Sequence, residues 1–87
     1  MWFSVRNKIG YRKNTQDSYR IKKATSNDGV NWIREPQNEI DISDERWENF
    51  MVCYPEVIKD KKQYYLFYNG NEFGKTGIGY ATRKKII

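Results

Sequence analysis

Two short stretches of this chain repeat each other, and that repetition limits the possible fold more than any other feature of the sequence. Trp2-Phe3-Ser4 matches Leu66-Phe67-Tyr68, and Ile21-Lys22-Lys23-Ala24-Thr25 matches Ile78-Gly79-Tyr80-Ala81-Thr82. The spacing between the segments differs in the two copies, and loop length is where repeated units normally vary. The segments carry β-branched and aromatic residues, and turn-forming Gly, Asn and Asp separate them, which is the pattern of strands. No sustained helical periodicity is present, and Pro36, Pro55 and six glycines oppose helices.

Strands are expected over residues 1–6, 18–26, 30–33, 53–59, 63–69 and 77–83, with a short extended stretch over 40–42. Asp28-Gly29 predicts a tight hairpin turn, because this pair readily takes positive φ angles. Apolar residues on both parities of 63–69 predict burial on both faces of that strand. A unit of short antiparallel strands repeating over roughly 50–60 residues reads as a β-propeller blade. The phase of the repeat matters. The second copy has a strand before its aromatic strand, at 53–59, and the first has none. The first copy continues through Asp28-Gly29 into a strand carrying Trp32, and the second does not. The expectation is an all-β chain of antiparallel β-propeller blades, incomplete, with about six strands. Residues 1–38 give three strands of one blade, 39–52 a connecting loop, and 53–87 three strands of the next. Propellers close with about four blades or more, so the chain alone does not close one.

Composition removes several classes of function. A chain of 87 residues allows one small domain, and so small a core needs support. The lone Cys53 rules out an intrachain disulfide. With no histidine there is neither a zinc site of the usual kind nor a Ser-His-Asp triad. Gly70, Gly74, Gly77 and Gly79 do not fit phosphate-loop or dinucleotide spacing, and no cofactor is expected. Apolar runs are too short for a membrane-spanning helix, and the first residues lack signal-peptide anatomy, so a cytoplasmic location without membrane contact is expected. The net charge of +5 reads first as a solvated surface, because the basic residues form no long run.

The motifs themselves resemble a known group. Ser26-Asn27-Asp28-Gly29-Val30-Asn31-Trp32, Tyr68-Asn69-Gly70-Asn71 and Gly77-Ile78-Gly79-Tyr80-Ala81 look like blade segments of five-bladed β-propeller glycosidases. That superfamily includes glycoside hydrolase families 43, 32 and 130. The resemblance covers nearly the whole chain and implies a C-terminal piece of about one and a half blades. It also implies carbohydrate as the ligand and a channel lined by acids from the innermost strands of several blades. Glycoside cleavage needs one carboxylic acid to protonate the leaving oxygen and one carboxylate as base or nucleophile. This chain offers one innermost strand, 53–59, and so one channel acid, Glu56, as the candidate general acid. The competing reading of Glu56 is an exposed strand-end glutamate near Lys59 and Lys61.

Further substrate-binding candidates are Trp47, Glu48, Tyr54, Asn69 and Asn71. Glu48 lies in the loop entering the innermost strand. Trp47 and Tyr54 offer flat faces for sugar C–H groups, although core packing is the commoner use of an aromatic. Asn69 and Asn71 flank Gly70, where turn formation competes with hydroxyl binding. Asp28 is explained by its turn. The expected function is a fragment of a glycoside hydrolase-like, carbohydrate-active propeller, catalytically incomplete alone. The alternative is a non-catalytic carbohydrate-binding or interaction module. Open strand edges and uncovered faces imply self-association or pairing with missing blades. Nucleic acid is a more distant partner class.

Overall fold

A computed structural model of the protein describes residues 1–84; the last three residues of the expected second unit lie outside the described residues. The described residues are all-β, with no α-helix and two short 3-10 turns at Thr15–Asp17 and Asn71–Gly74. Six strands form two antiparallel three-stranded sheets. The first contains β1 (Trp2–Val5), β2 (Arg20–Thr25) and β3 (Ile33–Arg34), and the second contains β4 (Cys53–Lys59), β5 (Gln63–Asn69) and β6 (Ile78–Lys84). Each sheet is a meander in which sequence order is spatial order.

The sheets pack face to face. Ile21, Val52, Leu66 and Tyr68 form the buried cluster, with Trp2, Ile40, Trp47 and Val57 packed against it. Alternation along the strands then sorts the second sheet. Val57, Leu66 and Ala81 share one face through their pairing, and Glu56, Phe67 and Tyr80 share the other. The backbone stitches the two sheets as well. The Val52 N–H donates to the Tyr19 carbonyl at 3.2 Å, and the Tyr54 N–H donates to Ser4 Oγ at 2.8 Å. Arg83 closes an ion pair with Glu39 of the connecting segment.

Strand pairing refines the internal repeat. Ser4 pairs with Ile21, and Asn69 pairs with Ile78. If Ile21 matches Ile78, Trp2-Phe3-Ser4 must match Phe67-Tyr68-Asn69, one residue later than the sequence match placed it. With that shift, Trp2 and Ile21, which face the second sheet, correspond to Phe67 and Ile78, which face away from the first. On that match the two sheets are stacked units that point the same way. The expectation that β5 is buried on both faces fails for this reason. Leu66 and Tyr68 are buried, but Phe67 is 37% exposed because no layer covers the outer face.

The third strand also differs from expectation. It occupies Ile33–Arg34, and Val30, Asn31 and Trp32 lie in the hairpin loop. Asp28 is the cause. Its Oδ1 accepts the N–H groups of both Val30 and Asn31 at 2.8 Å, and its Oδ2 accepts the Asn31 amide. These bonds hold the Asp28 carboxyl well below the usual carboxylate range. Backbone donors bound to a side chain cannot join a ladder, so the loop is wider than a two-residue turn. The stretch around 40–42 contributes a single bridge, Ile40 to Ile21.

Candidate functional site

The aromatic side chains converge where the two sheets meet. Strand β4 begins at Cys53, which is fully buried, and a bulge follows between Cys53 and Glu56. Within it Tyr54 takes φ 56°, in the left-handed region. The 3-10 turn after β5 places Glu72 (φ 54°) and Phe73 (φ 57°) there too. A side chain held in that region costs on the order of 1 kcal/mol. Three such residues gather at one place, a form of strain that tends to accompany binding sites.

The strained backbone aims two rings at each other. Tyr54 stacks on Phe73 with centroids 5.8 Å apart and planes at 27°. Tyr19 meets the edge of Phe73 at 5.5 Å and that of Tyr11 at 5.9 Å. Two cations cover the group. The Arg6 guanidinium lies 3.8 Å from the Tyr11 centroid, and its Nε donates to the Tyr19 hydroxyl. Arg12 Nε donates to the Tyr11 hydroxyl at 3.1 Å, which together with its charge lowers the Tyr11 phenol below its ordinary value. Partial burial, with Tyr19 alongside, raises the Tyr54 phenol. Tyr54 remains 53% exposed. Beside the rings an open cleft of about 800 Å³ is lined by Arg12, Asn49, Asn71, Glu72, Phe73 and Lys75, among others. Flat rings beside amide, carboxylate and cationic groups can stack a sugar face and bond its hydroxyls.

Of the candidates read from sequence, Asn71 lines this cleft, and Tyr54 stacks on Phe73 at its border. Asn71 is already engaged. Its Oδ1 accepts the N–H groups of Phe50 and Met51, and its Nδ2 donates to the Arg46 carbonyl and to Asn49. It clamps the loop that leads into β4.

Trp47 packs inward, stacked on Tyr68 at 5.9 Å and 22°. Three glycines make room for it. A Cβ at Gly79 would lie 2.3 Å from the Trp47 ring, one at Gly70 2.2 Å from the Trp47 carbonyl, and one at Gly77 3.2 Å from the ring. Glu48 is buried. Tyr68 Oη donates to Glu48 Oε1 at 2.6 Å and Ser43 Oγ donates to Oε2 at 2.5 Å. Burial, with the neighbouring carboxylate, pushes the Tyr68 phenol well above its ordinary value. Asn69 packs against Gly74. Glu56 is exposed on the outer face of the second sheet, opposite Phe67.

Tyr11, Tyr19, Phe73, Arg6 and Arg12 were missed as site residues. For Tyr11 and Phe73 the available signal was an aromatic inside an otherwise polar loop; Tyr19, in an expected strand, carried no such signal. Among the described residues no group of three or more His, Cys, Asp or Glu could hold a metal ion. No helix among them is long and apolar enough to cross a membrane.

Two curated proteins of Mycobacterium tuberculosis are similar to this chain. They are "Uncharacterized protein MT1551" of strain CDC 1551 / Oshkosh and "Uncharacterized protein Rv1502" of strain ATCC 25618 / H37Rv. Each is 37% identical over 82 residues, a match that covers 93% of this chain and 24% of the relative. The chain thus spans about a quarter of the length of the curated relatives it matches. No family model matches the chain, and no solved structure matches it.

Proposed function

We propose that this chain is part of a carbohydrate-active, glycoside hydrolase-like β-propeller, and that by itself it binds saccharide without cleaving it. The observation that carries the reading is the repeated stacking. Phe67 and Ile78 of the second sheet stand where Trp2 and Ile21 of the first sheet pack against a neighbour. The outer face is thus a continuation of the existing inter-sheet interface, and its occupant is a further sheet of the same design. Relatives about four times as long have room for such sheets. A series of like-facing antiparallel sheets is how a propeller is built.

The binding half of the proposal rests on the Tyr54–Phe73 platform. The absence of turnover rests on the acids. Glu48 is held by Tyr68 and Ser43, and Glu56 has no second carboxylate beside it among the described contacts, whereas glycoside cleavage needs a pair. These facts favour a binding role for this chain, with Glu56 left as the candidate channel acid of a larger assembly.

The test is a saccharide titration followed by NMR, run alongside an assay for release from aryl glycosides. Saturable shifts at Tyr19, Tyr54 and Phe73 are expected. Tyr54→Ala should abolish them, Glu56→Gln should leave them, and no release should occur. A panel of neutral and acidic sugars that leaves the platform unperturbed would sink the carbohydrate reading. Release by the isolated chain would refute the claim that it is catalytically incomplete.

A further inference from the structure

The face of the first sheet that points away from the second is built differently from its counterpart. By the stacking equivalence, Arg20 and Lys22 occupy the positions of Gly77 and Gly79. In the second sheet those glycines admit the Trp47 ring. In the first sheet the same positions carry cations, and they border a cleft of about 430 Å³. Arg6, Arg20, Lys22 and Arg34 line it against one carboxylate, Asp41.

The cations have separate tasks. Arg20 is structural: it pairs with Asp41 at 2.8 Å and donates to the carbonyls of Thr15, Tyr19 and Phe50. Lys22 Nζ donates to the Pro36 carbonyl. The Arg34 guanidinium lies over the Phe3 ring at 5.1 Å, and among the described residues it makes no hydrogen bond or ion pair. Ser18 also lines the cleft. It is 3% exposed, and its Oγ is the one buried side-chain polar atom without a partner among the described residues. A buried hydroxyl left unpaired is costly. Here it stands among cations, where the fitting partner is an anionic acceptor.

We propose that this cleft is a binding site for a small oxyanion, phosphate or sulfate, either free or carried on a saccharide. Ser18 Oγ–H donates to it, and Arg34, Lys22 and Arg6 supply the charge. Arg6 also covers Tyr11 of the aromatic platform, so one residue borders both sites. The assignment stands on the cleft and does not depend on the propeller reading.

The test is an NMR titration at fixed ionic strength with inorganic phosphate, sulfate, glucose 6-phosphate and glucose, with chloride as the reference. Saturable shifts at Ser18 and Arg34 are expected for the oxyanions and not for chloride or glucose. Ser18→Ala and Arg34→Gln should each weaken binding about tenfold, the effect of losing a charge-assisted hydrogen bond. Ser18→Ala should leave thermal stability unchanged or higher, because it removes an unpaired hydroxyl. Arg34 is exposed, so its variant tests the site independently of the core. Tighter binding of the sugar phosphate assigns the anion to a saccharide, and equal binding assigns it to the free ion; either result upholds the site. Non-saturable shifts, or variants that bind as the parent does, overturn it. So does binding confined to a single-stranded oligonucleotide with steep salt dependence.

Discussion

Ile21 and Ile78 stand at equivalent positions in the two sheets, yet the first is fully buried and the second is 68% exposed. Tyr80, equivalent to Lys23, is likewise open. The first sheet packs Trp2 and Ile21 on its neighbour, and its outer face mixes Phe3 and Val5 with the cations Arg20 and Lys22. The second is apolar on both faces, with one covered and one bare. Its strands are also the longer ones, seven residues each, against four, six and two in the first. Equivalent strands therefore do not have equivalent roles. The outer face of the first sheet is mixed, whereas that of the second exposes Phe67, Ile78 and Tyr80.

The largest expected effect tests the covered side. Leu66→Ala should cost about 3 kcal/mol, as deletion of a buried leucine does. Gly79→Ala should come close, because its Cβ would overlap the Trp47 ring. Chemical denaturation measures both. If Gly79→Ala is silent, Trp47 does not sit as described, and the contrast between Gly79 and Lys22 loses its meaning.

The bare side should behave in the opposite way. Phe67→Ser with Tyr80→Ser should change the stability of the monomer little and reduce self-association of the isolated chain. Sedimentation velocity decides this. A parent chain that stays monomeric at high concentration breaks the comparison, since the apolar outer face would then need no cover.

Cys53 gives a smaller and more local test at the sheet junction. Burial pushes its thiol up to about 11 from an ordinary 9.0. A raised folded-state value means that this contribution to stability is complete below about pH 9 and is lost as pH rises toward 11. A thiol reagent at pH 8 should therefore react at the unfolding rate, and rapid labelling of the native protein would contradict this burial.

The smallest effect belongs to the hairpin loop of the first sheet. The Asp28 carboxyl is held below 3.8 by hydrogen bonds. Its contribution is present above that value and is lost as pH falls below it. Acid should loosen residues 26–32, as amide exchange would show, while the second sheet stays protected. Uniform loosening of both sheets would mean that Asp28 has no special part.

Much of the second sheet was legible. β4 and β5 match the expected bounds, because their alternation and the Asp60-Lys61-Lys62 turn are local signals. β3 was misplaced because one side chain captured the N–H groups that would have started the ladder. The candidate site was legible only in part. Tyr54 was identified, but its partners Tyr19 and Phe73 lie far away in sequence, and only the left-handed backbone at Tyr54 and Phe73 brings the rings together. Glu48 and Trp47 were candidates for ligand contact, with core packing left open for Trp47; Glu48 is buried, and Trp47 is half-buried against Tyr68. Sequence shows which side chains are polar or flat, but it does not show which neighbour reaches them first.

The sequence by itself determined that the chain is all-β and built from two related units, because strand periodicity and turn residues act over a few positions. The tertiary structure alone decided how the units can be matched, since the pairing register does not allow Trp2 on Leu66 and Ile21 on Ile78 together. It alone decided which faces are covered. A one-residue shift in register exchanges the two faces of a strand, and only packed neighbours fix which side meets the core.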